Sequence, residues 1–328
     1  MKIPFSKVSI GEEEIEAVTR VLKSGWLAAG PETEKFEREF AKYVGVKYAI
    51  FTNSCTSALK MAYKMMAENP ELLGYQIGKV SSEVKTSVTV PKNTFCATYA
   101  AAVEMGLEPI MYDPKNYTMN WLRVNMHYGG VKDTSSCWLE DSAHRIEPND
   151  PLIGKIRCYS FYATKNMTTG SGGMFVTNSQ EIYEKARLWW RDGLSTSTRE
   201  RATKGYDYKV LAYAGGYDGN DLAATIGRVQ LRKLSSFTKR RNEIVRQYNS
   251  SLHQEWTGNH LYPFFVQNKK EVDSLIAFMA DNGVACSYHY PNTGWLGVSL
   301  PLYPDLTDKE VDYIIRKVGE WRKDLSNH

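Results

Sequence analysis

The chain has 328 residues, 42% of them hydrophobic, which is enough for about two domains around a sizeable core. Its 41 basic and 37 acidic residues leave a formal net charge of +4 and are interspersed rather than blocked, so nothing calls for nucleic acid or a membrane surface as a partner. Five widely spaced cysteines without a C-x-x-C pair or clustered histidines, and a start (Met1-Lys2-Ile3-Pro4-Phe5-Ser6) lacking the apolar core of a signal peptide, read as reduced thiols in a cytoplasmic protein with no metal site.

In chain order, residues 11–24 open on Gly11-Glu12-Glu13-Glu14 and carry Ile15, Val18 and Leu22 at helical spacing, an amphipathic helix with its acids placed to complement the dipole. A second helix from about Glu32 sets Phe36, Phe40 and Val44 on one face before Gly45. Tyr48-Ala49-Ile50-Phe51 reads as a short buried strand, and Thr56 to Met66 returns to helix. Strand signals recur at Ser87-Val88-Thr89-Val90, Pro109-Ile110-Met111-Tyr112, Cys137-Trp138-Leu139-Glu140, Ile156-Arg157-Cys158-Tyr159-Ser160 and Met174-Phe175-Val176-Thr177, with helical stretches between several of them. Such alternation predicts the α/β class: a mostly parallel sheet covered by helices.

The polar stretch from Asp192 to Tyr213, with Arg199, Arg201, Lys204 and Lys209, reads as a mobile loop or equally as a substrate lid. A long helical pattern then runs from Ala224 to Leu252, with Arg232, Lys233, Lys239, Arg240 and Arg241 on a face expected to be solvated. Tyr262-Pro263-Phe264-Phe265-Val266, the helix around Val272 to Ala280 and the stretch from Asp308 to Trp321 suggest a small α+β unit. The expected domains are 1–240, including the N-terminal arm, and 241–328.

One segment concentrates chemistry. Ser160-Phe161-Tyr162-Ala163-Thr164-Lys165-Asn166-Met167 leads into the turn Thr169-Gly170-Ser171-Gly172-Gly173. A lysine enclosed by Phe161, Tyr162 and Met167 loses hydration, its pKa falls, and its free amine attacks carbonyls, which is how a Schiff-base lysine arises; taken alone, Lys165 reads as a surface lysine in a turn. Asp141 closes the strand signal that starts at Cys137, where open parallel sheets place ligand-binding groups, although a lone Asp there also serves as a helix cap. Ser54-Cys55-Thr56-Ser57 falls between a strand and a helix, so backbone N–H groups, hydroxyls and the positive helix end converge on one point fit for a phosphate, or cap the helix. Phe95 and His144 read equally as a core aromatic and a partly buried histidine.

Together these segments resemble the DegT/StrS-type sugar aminotransferases, pyridoxal 5′-phosphate (PLP) enzymes of fold type I, similar to aspartate aminotransferase. The lysine segment is similar to S-F-x-x-x-K-x-x-T-x-G-x-G-G, and the other matches follow in family order: Gly25-Trp26-Leu27 with Gly30-Pro31, Thr52 to Leu59, Pro91-Lys92-Asn93-Thr94-Phe95, Glu140-Asp141-Ser142-Ala143-His144, Asn220 to Gly227 with Gln230-Leu231, and Leu300-Pro301-Leu302-Tyr303-Pro304. The resemblance implies a large PLP-binding domain and a small C-terminal α+β domain. It makes Lys165 the Schiff-base lysine, Asp141 the partner of the ring nitrogen and His144 the residue near O3′. Phe95 becomes the ring platform, and Ser54, Cys55, Thr56 and Ser160 the phosphate site.

The implied activity moves an amino group from an amino acid, L-glutamate in the first place, to a nucleotide-linked keto-deoxysugar in a cytoplasmic homodimer, with Asn220-Asp221 matching a segment that crosses the dimer interface. Lys165 argues against the family's dehydratases, which carry histidine there. Two departures stand out: Ser171 where the family often has Glu, and Gly216 where it often has Asn, or sometimes Lys, reaching the neighbouring subunit's cofactor phosphate. They leave open a catalytically degenerate, regulatory or scaffold member.

Overall fold

The structure, a computed structural model, describes residues 1–75, 86–113, 123–196, 200–201, 207–291 and 294–326. Arg199 and Lys204 lie outside the described residues.

The strands expected from sequence form where apolar, β-branched and aromatic residues run together: β1 (Tyr48–Thr52), β2 (Ser87–Pro91), β3 (Glu108–Tyr112), β4 (Val124–Met126), β5 (Leu139–Ser142), β6 (Ile156–Ser160) and β7 (Gly173–Thr177). Five of them make a sheet in the order β1-β7-β6-β5-β4, and a parallel bridge from Thr89 to Arg123 links the parallel pair β2-β3 to its β4 side. β4, β5 and β6 run parallel, whereas β7 is antiparallel to both β6 and β1. Among the described strands β1 to β7, β7 is therefore the one set against the common direction. The fifth strand begins at Leu139, two residues later than expected, because its pairing to Val124 and Ile156 starts there; Asp141 thus lies inside the strand rather than at its end.

Helices α1 (Glu12–Ser24), α2 (Pro31–Val44), α3 (Cys55–Glu68), α4 (Cys96–Glu104) and α5 (Gln180–Trp190) accompany the sheet. α2 begins on Pro31, ends at Gly45 in the left-handed conformation, and buries Phe36, Phe40 and Val44 as its spacing predicts. α1 departs from its pattern. Ile15 and Leu22 are 52% and 54% exposed, while Glu14, Ala17 and Val21 face inward. Glu14 can be buried because its carboxylate accepts from Gly11 N (2.9 Å) at the helix start and from Gln230 Nε2 (2.8 Å), a partner 216 positions away that the local pattern does not reveal.

Packing divides the chain into two compact units, one of Ile10–His127 and Asp133–Arg232, the other of Met1–Ser9, Tyr128–Lys132 and Lys233–His328. The division falls inside the 32-residue helix α6 (Asp221–Leu252), and the N-terminal arm groups with the C-terminal residues through a bridge from Ile3 to Val284. The second unit carries the antiparallel sheet β8-β10-β9, formed by β8 (Tyr262–Phe265), β9 (Ser287–Tyr288) and β10 (Gly297–Leu300), with α7 (Lys269–Asp281) and α8 (Asp308–Ser326) packed in its core. Of the basic residues expected on a solvated face of α6, Arg241 is instead buried; loss of water lowers its pKa to about 10 while the Asp305 charge works the other way. Among the described residues no helix is long and apolar enough to cross a membrane.

Candidate active site

Because β1, β2, β5 and β6 run the same way, the segments that follow them leave from one edge of the sheet, where an open α/β sheet binds ligands. Ser54 and Cys55 follow β1, Phe95 follows β2, Asp141 lies within the C-terminal half of β5 with His144 just past it, and Lys165 follows β6. β7 starts at that same edge, so Thr52, Gly173 and Ser160 form one row across three strands.

The turn into α3 is built by side chains. Ser54 caps the helix by accepting from Ser57 N at 3.1 Å, and Ser57 Oγ donates to Asn53 Oδ1 at 2.5 Å. With Ser57 N–H engaged, the N–H groups of Cys55 and Thr56 are left as donors of the first turn, backed by the positive end of a 14-residue helix. Gly173 closes against this turn: a Cβ there would lie 2.5 Å from Cys55 N and from the Ser54 carbonyl carbon. Burial pushes the Cys55 thiol well up, with the Asp141 charge adding to the effect, so Cys55 is a packing residue and no thiolate nucleophile.

Asp141 is 3% exposed. Its Oδ2 accepts from Thr98 Oγ1 at 2.7 Å and its Oδ1 from Ala143 N at 3.1 Å. Burial raises its pKa above the ordinary carboxylate value, opposed by these hydrogen bonds and by the charges of Lys165 and His127. Lys165 shows the converse. Its ammonium loses water and its pKa falls, with the Asp141 charge opposing. Of the three residues expected to enclose it, Phe161 and Met167 are buried, whereas Tyr162 is exposed.

Ser160 is buried at the end of β6 and His144 is buried just past β5, while the Phe95 ring is 57% exposed at the start of α4. The two departures from the family pattern both touch Asn53. Ser171 Oγ donates to Asn53 O at 3.2 Å, and Asn53 Nδ2 donates to Gly216 O at 3.2 Å. A Cβ at Gly216 would lie 3.2 Å from Asp192 Oδ1. The carboxylate of Asp221 accepts from Gly30 N, Glu32 N, Thr33 N and Thr33 Oγ1 at 2.8–3.1 Å, holding the start of α2. Sequence reasoning missed Thr98 and Asn53. For Thr98 the available signal was its hydroxyl four residues after Thr94, one helical turn into α4.

An amine whose charged form is disfavoured beside a buried carboxylate is what imine chemistry on a carbonyl cofactor requires, and the sheet that presents it is that of the fold-type I PLP transferases. The chain belongs to the DegT/DnrJ/EryC1/StrS aminotransferase family, whose profile matches residues 8–126 and 139–297. It is 30% identical to the spore coat polysaccharide biosynthesis protein SpsC of Bacillus subtilis strain 168, over 97% of this chain and 96% of that one. Among solved structures it is similar to Spr1654 of Streptococcus pneumoniae, named as a sugar aminotransferase and solved in its PLP form, at 25% identity, a TM-score of 0.81 and 99% coverage of both chains. It also shares the fold of Helicobacter pylori PseC, an aminotransferase involved in the biosynthesis of pseudoaminic acid, at 21% identity and a TM-score of 0.82, over 99% of this chain and 100% of that one. The cofactor is PLP, and the residues present suit it. A dianionic phosphate matches the open donors of Cys55 and Thr56, a protonated ring nitrogen matches the Asp141 carboxylate, and an aldehyde matches the dehydrated amine of Lys165.

Proposed function

We propose that this chain is a PLP-dependent aminotransferase that takes an amino group from an amino acid, L-glutamate in the first place, and delivers it to the keto carbon of a nucleotide-linked keto-deoxysugar. The observation that carries the reading is the mutual electrostatics of Lys165 and Asp141, each opposing the effect that burial has on the other. The sugar substrate is supported by the names of SpsC, Spr1654 and PseC.

When bound, PLP supplies an aldehyde for imine exchange and a ring that withdraws electrons from the donor's Cα. Ser54 orders the turn whose Cys55 and Thr56 N–H groups hold the phosphate, with Ser160 beside it in the row of Gly173. Phe95 offers its exposed ring as the platform, and His144 is assigned the position near O3′. Asp141 keeps a proton on the ring nitrogen. Lys165 Nζ would hold the cofactor's aldehyde carbon and, when its amine is free, would carry the proton taken from the donor's Cα to that carbon. The two compact units are read as the large PLP-binding domain and the small C-terminal domain of a cytoplasmic enzyme.

A homodimer is part of the proposal. Its support is the apolar surface that Ile15, Leu22 and Leu27 leave uncovered. Sedimentation tests it, and a fully active monomer at working concentration would count against it.

The half-reaction tests the activity. The PLP-loaded protein mixed with glutamate should convert its absorbance to that of the aminated cofactor, and a screen of keto-sugar nucleotides should reverse the change. No conversion with any amino acid would overturn the transaminase and favour a degenerate PLP-binding regulator.

A further inference from the structure

The carboxylate of Asp141 is held from α4, by Thr98, three residues past Phe95. An ionised carboxylate only accepts hydrogen bonds, so the single proton of the Thr98 hydroxyl is committed to Asp141 Oδ2 at 2.7 Å. Thr98 Oγ1 and Thr94 Oγ1 lie 2.7 Å apart, and with the Thr98 proton engaged Thr94 must be the donor. The result is a buried relay of fixed direction, Thr94 to Thr98 to Asp141.

Thr98 is itself held in place. Its N–H bonds Phe95 O at 3.1 Å, its carbonyl accepts from Tyr63 Oη at 2.9 Å, and its side chain is fully buried. It belongs to the first turn of a nine-residue helix, whose positive end favours a carboxylate nearby. The other titratable groups that act on Asp141 are Lys165 after β6, His127 after β4, Cys55 and Tyr63 on α3, and Cys158 on β6. The hydroxyl of Thr98 is the side-chain donor bonded to Asp141 among the described residues.

We propose that Thr98 is a positioning residue of the transamination site: its hydroxyl, oriented by Thr94, holds the Asp141 carboxylate ionised and in one orientation for the cofactor's ring nitrogen. The inference rests on the reading that Asp141 serves that nitrogen, and the test separates the two.

Thr98→Val keeps the shape and removes the donor. In the cofactor-free protein, the 13C NMR titration of the Asp141 carboxyl should move to higher pH by about one unit, a tenfold change in its proton affinity. In the loaded enzyme, the 15N signal of ring-labelled PLP should show the nitrogen losing its proton at lower pH than in the wild type. Thr98→Ser should restore both, and Thr94→Val, which only frees the Thr98 hydroxyl to turn, should move the carboxyl titration in the same direction by less. An unchanged carboxyl titration in a folded Thr98→Val protein overturns the proposal; if that variant does not fold, an unchanged titration in Thr94→Val does so. A moved carboxyl titration with an unmoved 15N signal keeps the hold on Asp141 and overturns the assignment of Asp141 to the ring nitrogen.

Discussion

Gly173 lies so close to Ser54 that a methyl group at its Cα would come within 2.5 Å of the Ser54 carbonyl carbon. The first residue of β7 thereby sets where α3 starts, and with it where the open N–H groups of Cys55 and Thr56 point. Gly173→Ala must push the turn away from the sheet. Overpacking of this kind costs roughly 1–3 kcal/mol, and the melting temperature should fall accordingly. PLP should also leave the variant faster during dialysis, which absorbance of the dialysed protein checks.

Lys165 should be the site of covalent attachment. Borohydride reduction of the loaded protein followed by peptide mapping should find the cofactor on the peptide that contains Lys165, and Lys165→Ala should abolish turnover. A label on a different lysine would falsify the assignment.

Asp141 should be functional at the expense of stability. Its folded-state pKa is raised above the unfolded value, so the ionised form burdens the folded state at neutral pH, and that burden disappears as pH falls through the folded pKa toward the ordinary carboxylate range. Asp141→Asn should therefore raise the melting temperature of the cofactor-free protein at pH 7, gain less at pH 4, and lose most of the turnover. The same change removes the charge that supports the Lys165 ammonium, so Lys165 should react faster with carbonyl reagents at pH 7. A lower melting temperature at pH 7 would mark Asp141 as a structural cap.

Glu140, the neighbour of Asp141 in β5, works in the opposite sense. Burial alone would raise its pKa, but the hydrogen bond from His127 and the charge and hydrogen bonds of Arg157 outweigh it and hold it at about 2. Stability from this group is complete above the ordinary carboxylate range and is lost as pH falls from about 4.5 toward about 2. Glu140→Gln leaves buried Arg157 with Asp150 Oδ2, at 3.3 Å, as its remaining carboxylate, so the cost should stay below the roughly 3–5 kcal/mol of a wholly unpaired buried charge, and the change should flatten the loss of stability in that acid window. Urea titrations at several pH values check both statements.

Asp221→Ala removes the acceptor of four hydrogen bonds at the start of α2. Loss of a cap together with charge-assisted bonds should cost about 2–4 kcal/mol, with Asp221→Asn costing less. Denaturant unfolding measures the difference, and a change below about 0.5 kcal/mol would mean that water replaces the carboxylate.

Most of the sheet was legible because buried strands are written locally, as short apolar runs between turn residues. The convergence of Lys165, Asp141 and Cys55 was legible for a related reason, since each lies in or just past the C-terminal half of a strand of one parallel set. Partnerships made across long stretches of chain were not. Glu14 is buried against Gln230, Arg241 is drawn inward near Asp305, and Thr98 serves a carboxylate 43 positions later, and those partners lie far beyond any local pattern. The hold of Asp221 on α2 was hidden for the same reason: its partners, Gly30 to Thr33, are about 190 positions away.

The loop that carries Lys165 is closed at its neck. Ser160 and Gly173 are register partners, Phe161 N bonds Gly172 O at 2.9 Å, and Thr169 N bonds Phe161 O at 3.0 Å. The twelve residues between the strands are therefore held at the neck by backbone pairing, in which the side chain at position 165 takes no part. Such a loop is an exchangeable cassette: its reactive group can be replaced in a single evolutionary step while the scaffold stays folded, so new chemistry can be sampled here without first passing through an unfolded ancestor.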